Sequence, residues 1–397
     1  MSRPPLEVAD IVRARGAEYR NAHRGHLSLG QLKVLSAIER CRTAELGGHR
    51  LHCDTCDTDT LAYNSCRNRH CPKCQASAAE RWLEARSADV LPVPYFHVVF
   101  TLPEALRGIA YQNKAPIYDL LFKTASKTLL RIAADKKHLG AKVGITAVLH
   151  TWGSSLTHHP HLHCIVTGGG LSDDKKRWVR SRPNFLVSVR VLARLFRRYF
   201  LEALLKAHGK GRLSFFAGLS HLNDTDRFAG HLEPLKKIDW VVYAKRPFAG
   251  PEAVLTYLSR YTHRIAISNR RLVAFDERGV TFRYKDYRSK KANPWTTMTL
   301  NTDEFLHRFL LHVLPSGFHR IRHYGLLANA RRQHKLTIAR NLLQCQSKDE
   351  SEPSDPTDKE AQGQSPTFTC RRCGEPLIIV EILAPQEPRA PPQRQAA

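Results

Sequence analysis

Two pairs of closely spaced cysteines dominate the segment between residues 41 and 74. Cys53-x2-Cys56 is followed, after fourteen residues, by Cys71-x2-Cys74. Two sulfurs on one tight turn can reach the same tetrahedral ion, so two such pairs fill the ligand shell of a structural zinc ion (Zn²⁺). The segment has few apolar residues, and we expect metal binding to supply most of its folding free energy. The alternative is a set of reduced cysteines in an ordinary loop.

Other residues with metal-ligating side chains surround these pairs: Cys41, His49, His52, Cys66 and His70. They could form a second site, or Cys66 or His70 could replace one ligand of the first. Near the other end of the chain lies Cys370-x2-Cys373. Two thiolates do not fill a zinc shell, so this pair would need Cys345, another ligand or another chain.

The chain carries a large positive charge. Its 397 residues include 62 Lys and Arg against 36 Asp and Glu, a formal net charge of +26. Such a charge attracts polyanions and makes binding sensitive to salt. We see no run of 18 apolar residues and no signal-peptide core, and therefore expect a soluble, cytoplasmic protein that binds nucleic acid rather than a membrane. Arg67, Arg69 and Lys73 lie among the zinc ligands and predict a DNA-binding surface, although a solvated basic face has the same sequence pattern.

The arrangement of hydrophobic segments predicts an α+β fold. Residues 1–88 read as helices around the cysteine-rich segment, with Ser28 as an N-cap, and we expect a zinc-binding DNA-recognition domain. Residues 89–340 alternate strands and helices without a regular β-α-β rhythm, which favours a largely antiparallel sheet. The predicted strands begin at about residues 95, 143, 161, 237, 271 and 279, and the predicted helices span about 104–134, 188–208, 251–264 and 302–313. Residues 341–397 predict a disordered tail with a small ordered island around Cys370.

A dense group of histidines occurs in "HHPHLHCIVTGGG", residues 158–170. On a strand, His161 and His163 point to one face while Leu162 and Cys164 point to the other, so the two imidazoles can share a metal ion. His150 lies at the end of the preceding predicted strand and supplies a third ligand if the two strands pair antiparallel. We expect the glycines to end the strand, and His158 and His159 to be loop residues or substrate contacts.

The same segment loosely fits the histidine-triad hydrolase pattern, with His159, His161 and His163 as the triad. There a histidine would attack a nucleotide phosphate. The chain length, the charge, the cysteine pairs and Pro160 argue against this alternative.

A nucleophile for such a metal site is predicted in "GPEAVLTYLSRYTHRIAISNRR", residues 250–271. Tyr257 and Tyr261 are four residues apart, so a helix places both phenols on one face. A tyrosine that attacks a DNA phosphate forms a covalent phosphotyrosine, which stores the phosphodiester bond. The alternative is the ordinary core stripe of an amphipathic helix. The nearby positive side chains predicted to contact DNA are Arg260, Arg264, Arg270 and Arg271.

Taken together, these motifs resemble a known family. "YNSCRNRHCPKCQ", "FHVVFTLP", "HTWGSSLTHHPHLHCIVTGGGL", "YLSRYTHRIAISNRRL" and "FHRIRHYGLL" follow one another as in the rolling-circle HUH transposases of bacterial insertion sequences. These carry an N-terminal transposase zinc-binding domain and a two-tyrosine catalytic domain. The similarity covers roughly residues 15–340.

The resemblance implies a ferredoxin-like or palm-like antiparallel sheet with flanking helices. It places the HUH pair on His161 and His163, the third ligand on His150, and the tyrosine pair on Tyr257 and Tyr261, which need not be equivalent. It implies nicking of single-stranded or hairpin DNA through a 5′-phosphotyrosine, with Mg²⁺ or Mn²⁺. Two alternatives stay open: a relaxase or replication initiator with the same chemistry, and a non-catalytic DNA-binding protein descended from a transposase.

Overall fold

The computed structural model describes residues 4–87, 89–182, 186–245, 253–254, 257, 265–286, 289, 293–343 and 368–386. Within these ranges the helices are α1 (Val8–Ala22), α2 (Leu29–Arg40), α3 (Pro72–Ser87), α4 (Arg107–Gln112), α5 (Lys114–Ala134), α6 (Val189–Gly209), α7 (Thr225–Lys237), α8 (Thr302–Leu311) and α9 (Arg332–Leu342). The strands are β1 (Gly48–Cys53), β2 (Thr58–Tyr63), β3 (Tyr95–Thr101), β4 (Lys142–Trp152), β5 (His158–Leu171), β6 (Trp178–Arg180), β7 (Val242–Lys245), β8 (Leu272–Asp276), β9 (Gly279–Lys285), β10 (Trp295–Leu300), β11 (Ile321–Gly325) and β12 (Ile378–Leu383).

An antiparallel sheet lies at the centre of the molecule, with strand order β11-β4-β5-β3-β7 and β6 paired to β5. The long middle strands β4 and β5 are almost entirely buried because both faces of the sheet are covered. Leu162, Cys164 and Val166 point into the main hydrophobic core, which α5, α6 and α7 complete. The predicted α+β fold with antiparallel pairing is confirmed.

The other face of β5 carries His161, His163 and Ile165. Ile165 packs in a smaller cluster with Tyr95 and Leu326. The histidines are therefore positioned by a strand whose opposite side is anchored in the core, which fixes their direction on a rigid element.

The N-terminal helices form a third core together with residues far along the chain. Ser28 caps α2 by accepting a hydrogen bond from the backbone of Gln31, as predicted. Ile11 and Leu35 pack with Phe282 of β9 and Phe305 of α8. The strands β8, β9 and β10 form a separate antiparallel sheet against which these helices lie.

Two details differ from the sequence-based expectations. The glycine run does not end the strand: β5 continues through Gly168–Gly170 to Leu171. A side chain at Gly170 would lie 2.4 Å from the backbone oxygen of Lys142, so glycine here permits close strand approach rather than a turn. His158 and His159, expected to be loop residues or substrate contacts, both lie within β5, where His158 is buried and His159 is half-buried. Among the described residues, no helix is both long enough and apolar enough to cross a membrane.

Candidate metal centres and active site

Three histidines converge on one face of the central sheet. The strands β4 and β5 pair antiparallel with His150 directly opposite His161, and His163 follows two residues later on the same face. One ring nitrogen from each histidine lies within 4.8 Å of the others, and we call this set the histidine cluster (His150, His161, His163). His150 and His163 are buried and His161 is half-buried. The geometry predicted for the two strands is thus present, and the three nitrogens could hold a metal ion that keeps further coordination positions open.

Two hydrogen bonds orient the rings of this cluster. Nδ1 of His161 lies 2.7 Å from the carbonyl oxygen of His159, so it carries the proton and donates it. Its Nε2 is then the ligand atom. Nδ1 of His163 lies 2.8 Å from Nε2 of His97, a buried residue on β3. Such outer hydrogen bonds commonly fix the tautomer and direction of metal-binding imidazoles.

His97 was not singled out from the sequence. It is a lone histidine in an otherwise apolar strand, and only the pairing of β3 with β5 brings it beside His163. The two rings are stacked with centroids 5.0 Å apart. Burial lowers the pKa of His97 to about 3, and the positive charge of Lys245 adds to this, so its imidazole is neutral at physiological pH.

Tyr257 reaches the same network. Its hydroxyl oxygen lies 3.0 Å from both ring nitrogens of His97, and the two rings are 4.9 Å apart. A chain of contacts therefore runs from the phenol of Tyr257 through His97 to His163. Tyr257 also packs against the smaller cluster around Ile165, so the core-stripe interpretation holds for part of its ring. The second predicted nucleophile, Tyr261, lies outside the described residues.

The other two histidines of the motif have different surroundings. Nε2 of His158 lies 2.8 Å from the hydroxyl of Tyr118, and burial lowers the pKa of His158 to about 3. His159 contributes its carbonyl oxygen to His161. The group that could hold a metal ion combines His150 with His161 and His163. It does not include His159, which the histidine-triad pattern would require.

Four cysteines near the N-terminal helices form one compact group, the inner cysteine cluster (Cys41, Cys66, Cys71, Cys74). The Sγ atom of Cys74 lies 3.6 Å from those of Cys41 and Cys66. Four sulfurs about 2.3 Å from a tetrahedral zinc ion would be about 3.8 Å apart, so the spacing fits zinc. Hydrogen bonds with neighbouring thiols, that of Cys41 foremost, lower the pKa of Cys74. Hydrogen bonds with the other three thiols, again that of Cys41 foremost, raise the pKa of Cys71.

The other half of the predicted zinc site lies elsewhere. Cys53 and Cys56 group with the C-terminal pair in the outer cysteine cluster (Cys53, Cys56, Cys370, Cys373). The prediction of a single site made of Cys53, Cys56, Cys71 and Cys74 is therefore wrong in its grouping. The x2 spacing identifies two ligands of one knuckle, but the fold decides which knuckles and loops meet. Cys41 and Cys66, left over in the sequence, complete the inner cluster, whereas His49, His52 and His70 are absent from both cysteine groups.

Comparison with known proteins agrees with this arrangement. Residues 11–102 match the family described as "Transposase zinc-binding domain", and residues 144–335 match the one described as "Putative transposase". The chain is 57% identical over 343 residues to "Putative transposase y4qJ" of Sinorhizobium fredii, which covers 86% of this chain and 85% of that protein. The chain belongs to this transposase family. The chain is also similar to "Transposase for insertion sequence element IS801" of Pseudomonas savastanoi. The two are 27% identical over 314 residues, which cover 75% of this chain and 70% of that protein. No solved structure gives a significant match.

These relatives are transposases of the IS91 and IS801 type, so the resemblance to rolling-circle HUH transposases is confirmed. The zinc-binding family covers all four residues of the inner cysteine cluster, which supports a structural zinc ion in this transposase. It covers only two residues of the outer cysteine cluster.

The positive side chains predicted to bind DNA have unequal environments. Lys73 forms an ion pair of 2.6 Å with Glu7, and their side chains are only 9% and 6% exposed. Arg69 donates hydrogen bonds to the backbone oxygens of Phe318 and Pro315, 2.5 and 2.9 Å away. Lys73 is thus engaged inside the protein, which contradicts its assignment to a DNA-binding surface. Arg69 is half-buried, and its contact with DNA stays a prediction.

The remaining arginines divide in the same way. Arg271 donates to the backbone oxygens of Arg283 and Ser154, and its guanidinium lies over the ring of Phe282, so it holds β9 and the loop after β4 together. These contacts give Arg271 a structural role, and its contact with DNA stays a prediction. Arg67 and Arg270 are exposed and remain predicted DNA contacts. Arg260 and Arg264 lie outside the described residues.

Proposed function

We propose that this transposase cleaves and rejoins single-stranded DNA at the ends of an insertion sequence through covalent phosphotyrosine intermediates. The observation that carries the proposal is the connection of Tyr257 to the histidine cluster through His97. This connection joins a nucleophile candidate to a metal-binding candidate. A tyrosine that served only to pack a helix against the core would not require such a connection. Membership of a transposase family supports DNA as the partner, and the net charge of +26 favours a polyanion.

The residues fit a divalent ion. The three imidazoles supply neutral nitrogen ligands from two adjacent strands, and the orientation of His161 and His163 directs Nε2 inward. Imidazole binds transition-metal ions better than it binds Mg²⁺, which prefers oxygen, so the donor set favours Mn²⁺ over Mg²⁺. When bound, such an ion would polarise a phosphate oxygen and offset the charge that develops on it.

Tyr257 is the proposed nucleophile. Its hydroxyl oxygen forms a bond to the phosphorus of the scissile phosphate while the bond from phosphorus to the 3′ oxygen breaks. The phenol proton is released, and the departing oxygen takes up a proton to become a free 3′-hydroxyl. The DNA stays attached through its 5′ phosphate, and a later attack by a 3′-hydroxyl on the same phosphorus releases the tyrosine and rejoins the strand.

His97 is a positioning residue in this scheme. If His163 ligates through Nε2, its Nδ1 carries a proton and donates to Nε2 of His97. The neutral His97 then carries its own proton on Nδ1, and the hydroxyl oxygen of Tyr257 lies 3.0 Å from both Nδ1 and Nε2 of this ring. The tautomer of one ring therefore fixes that of the next, and the edge of the His97 ring holds the attacking oxygen of Tyr257 beside the histidine cluster.

A second tyrosine completes the proposed cycle. Tyr261 would attack in turn, so that one tyrosine opens the donor strand and the other opens the target or the far end. The exposed Arg67 and Arg270 are proposed to contact the DNA backbone of single-stranded or hairpin element ends.

An oligonucleotide that carries the element's end tests the chemistry. We expect the wild-type protein with Mn²⁺ to form a covalent adduct that survives denaturing electrophoresis, and mass spectrometry to locate it on the peptide containing Tyr257 or Tyr261. The variant Y257F should nick more slowly, with residual adduct on Tyr261, and the double variant Y257F/Y261F should form none. His161→Ala should lose cleavage but retain DNA binding.

Tyr243 provides the matched control, because it is an exposed tyrosine on β7, the strand next to β3. Y243F should form adducts at the wild-type rate. Adducts from the double variant would refute the nucleophile assignment, and normal cleavage by His161→Ala would refute the metal site. A folded wild-type protein that binds the oligonucleotide without any adduct would favour the non-catalytic alternative. A relaxase or replication initiator would share the chemistry, and the transposase relatives favour transposition over both.

A further inference from the structure

The described C-terminal residues 368–386 dock on the N-terminal region. Strand β12 pairs antiparallel with β1, from Gly48 opposite Leu383 to His52 opposite Ile378. The backbone N–H of Gln386 donates to the oxygen of Ala44, 3.1 Å away. β12 thereby extends the β1–β2 hairpin to a three-stranded sheet.

Hydrophobic burial contributes little to this docking. Every side chain of β12 is exposed or half-buried, and Ile382 is 76% exposed. The ion pair between Arg50 and Glu381 is exposed too, and such pairs stabilise weakly. Within residues 368–386 only Cys370 is buried. The attachment must therefore depend on the backbone pairing and on whatever holds Cys370.

The two cysteine pairs of the outer cluster share one backbone feature, a positive φ at the residue that follows the second cysteine. Cys53-x2-Cys56 is followed by Asp57 at a φ of +49°, and Cys370-x2-Cys373 is followed by Gly374 at a φ of +86°. The N–H of Gly374 donates to the oxygen of Cys370, and the N–H of Arg372 lies 3.4 Å from the Cys370 sulfur. Each pair sits on a tight turn between paired segments, β1 with β2 in one case and the bridge between Thr369 and Pro376 in the other.

The sulfurs of these two turns face one another. Sγ of Cys53 lies 3.5 Å from Sγ of Cys373, and all four sulfurs lie within 4.8 Å. This spacing is close to the separation of about 3.8 Å expected around a tetrahedral zinc ion, and two knuckles with four thiolates form a closed structural shell.

We propose that Cys53, Cys56, Cys370 and Cys373 bind a second zinc ion, which joins the C-terminal segment to the N-terminal zinc-binding region. The proposal does not depend on the tyrosine chemistry. It assigns a role to the C-terminal pair, which lies outside both matched family regions. Without this ion, β12 would lose its principal attachment and the outer edge of β1 would be left unpaired.

Metal content tests the site in the full chain. The protein would be loaded with Co²⁺ in place of zinc, and the thiolate-to-metal charge-transfer absorbance measured together with bound metal. The double variant C370S/C373S should lose one ion per chain and about half of the charge-transfer absorbance, because the inner cluster keeps its ion. Cys164→Ser is the control, since this buried cysteine belongs to neither cluster. An unchanged absorbance in C370S/C373S would overturn the proposal, as would wild-type protein in which these cysteines are oxidised to disulfides.

Hydrogen exchange tests the joining role in the same proteins. We expect the amides of β12 to be protected in wild-type protein and to exchange at least tenfold faster in C370S/C373S, while those of α5 in the main core stay protected. Equal protection of β12 in both proteins would show that strand pairing alone holds the segment and would overturn the joining role.

Discussion

The histidine cluster and the inner cysteine cluster are both metal-capable, but they are built in opposite ways. Three histidines project from two strands of a sheet that has its own hydrophobic core on the other face. The four cysteines come from the end of α2, a loop and the start of α3, and Cys41, Cys71 and Cys74 belong to the core of the N-terminal region. A three-ligand site on a preformed sheet leaves room for a substrate. A four-ligand site between loosely connected elements has no open position and serves folding.

Removing a ligand should therefore unfold the region around the inner cysteine cluster but leave the sheet around the histidine cluster folded. The largest effect is expected at Cys71. Cys71→Ser breaks the closed shell at a fully buried position. Structural zinc supplies about 10–16 kcal/mol in small zinc domains, which is comparable with the net stability of about 5–15 kcal/mol of a typical domain. We expect the N-terminal region to unfold, with zinc lost and soluble yield greatly reduced.

The matched comparison is His161→Ala, followed by circular dichroism and thermal unfolding. This variant should keep the wild-type fold, because His161 is half-buried and its strand is anchored through Leu162 and Cys164. If Cys71→Ser folds normally with full zinc content, or if His161→Ala unfolds, the division between a folding site and a chemical site does not hold.

The same contrast explains what the sequence could predict. His161 and His163 are two residues apart on one strand, and His150 lies on the strand directly before it, so alternation and antiparallel pairing were enough to group them. The x2 spacing was also enough to identify which cysteines form pairs. Their partners could not be predicted, because Cys41 and Cys66 lie in irregular segments and Cys370 is more than three hundred residues from Cys53. His97 was missed for a related reason: its neighbour His163 is brought close only by sheet order.

A smaller effect on activity is expected when a residue that orients the histidine cluster is replaced, rather than one of its metal ligands. His97→Ala takes away the acceptor for Nδ1 of His163 and the partner of Tyr257. Loss of such an outer partner typically weakens metal affinity or activity by roughly 10- to 100-fold. We expect the Mn²⁺ concentration for half-maximal nicking to rise by that order, a shift that a purely structural role would not produce.

His323→Ala is the control for this measurement, because His323 lies on β11 of the same sheet and contacts Thr146 outside the cluster. It should leave the Mn²⁺ dependence unchanged. An unchanged Mn²⁺ dependence in His97→Ala, with activity lost only through a lower unfolding temperature, would reduce His97 to a packing residue.

The smallest effects concern two arginines that lie among the cysteine ligands. Arg67 is exposed, whereas Arg69 donates to the backbone oxygens of Phe318 and Pro315. Arg67→Ala should weaken DNA binding modestly and reduce the slope of log affinity against log salt by about 1, with no change in Tm. Arg69→Ala should lower the free energy of unfolding by about 1–3 kcal/mol, because two carbonyl groups lose their donor, while the folded protein keeps its salt dependence. The reverse outcome, a changed salt slope for Arg69→Ala and a lower Tm for Arg67→Ala, would mean that the DNA contacts the face we assign to internal packing.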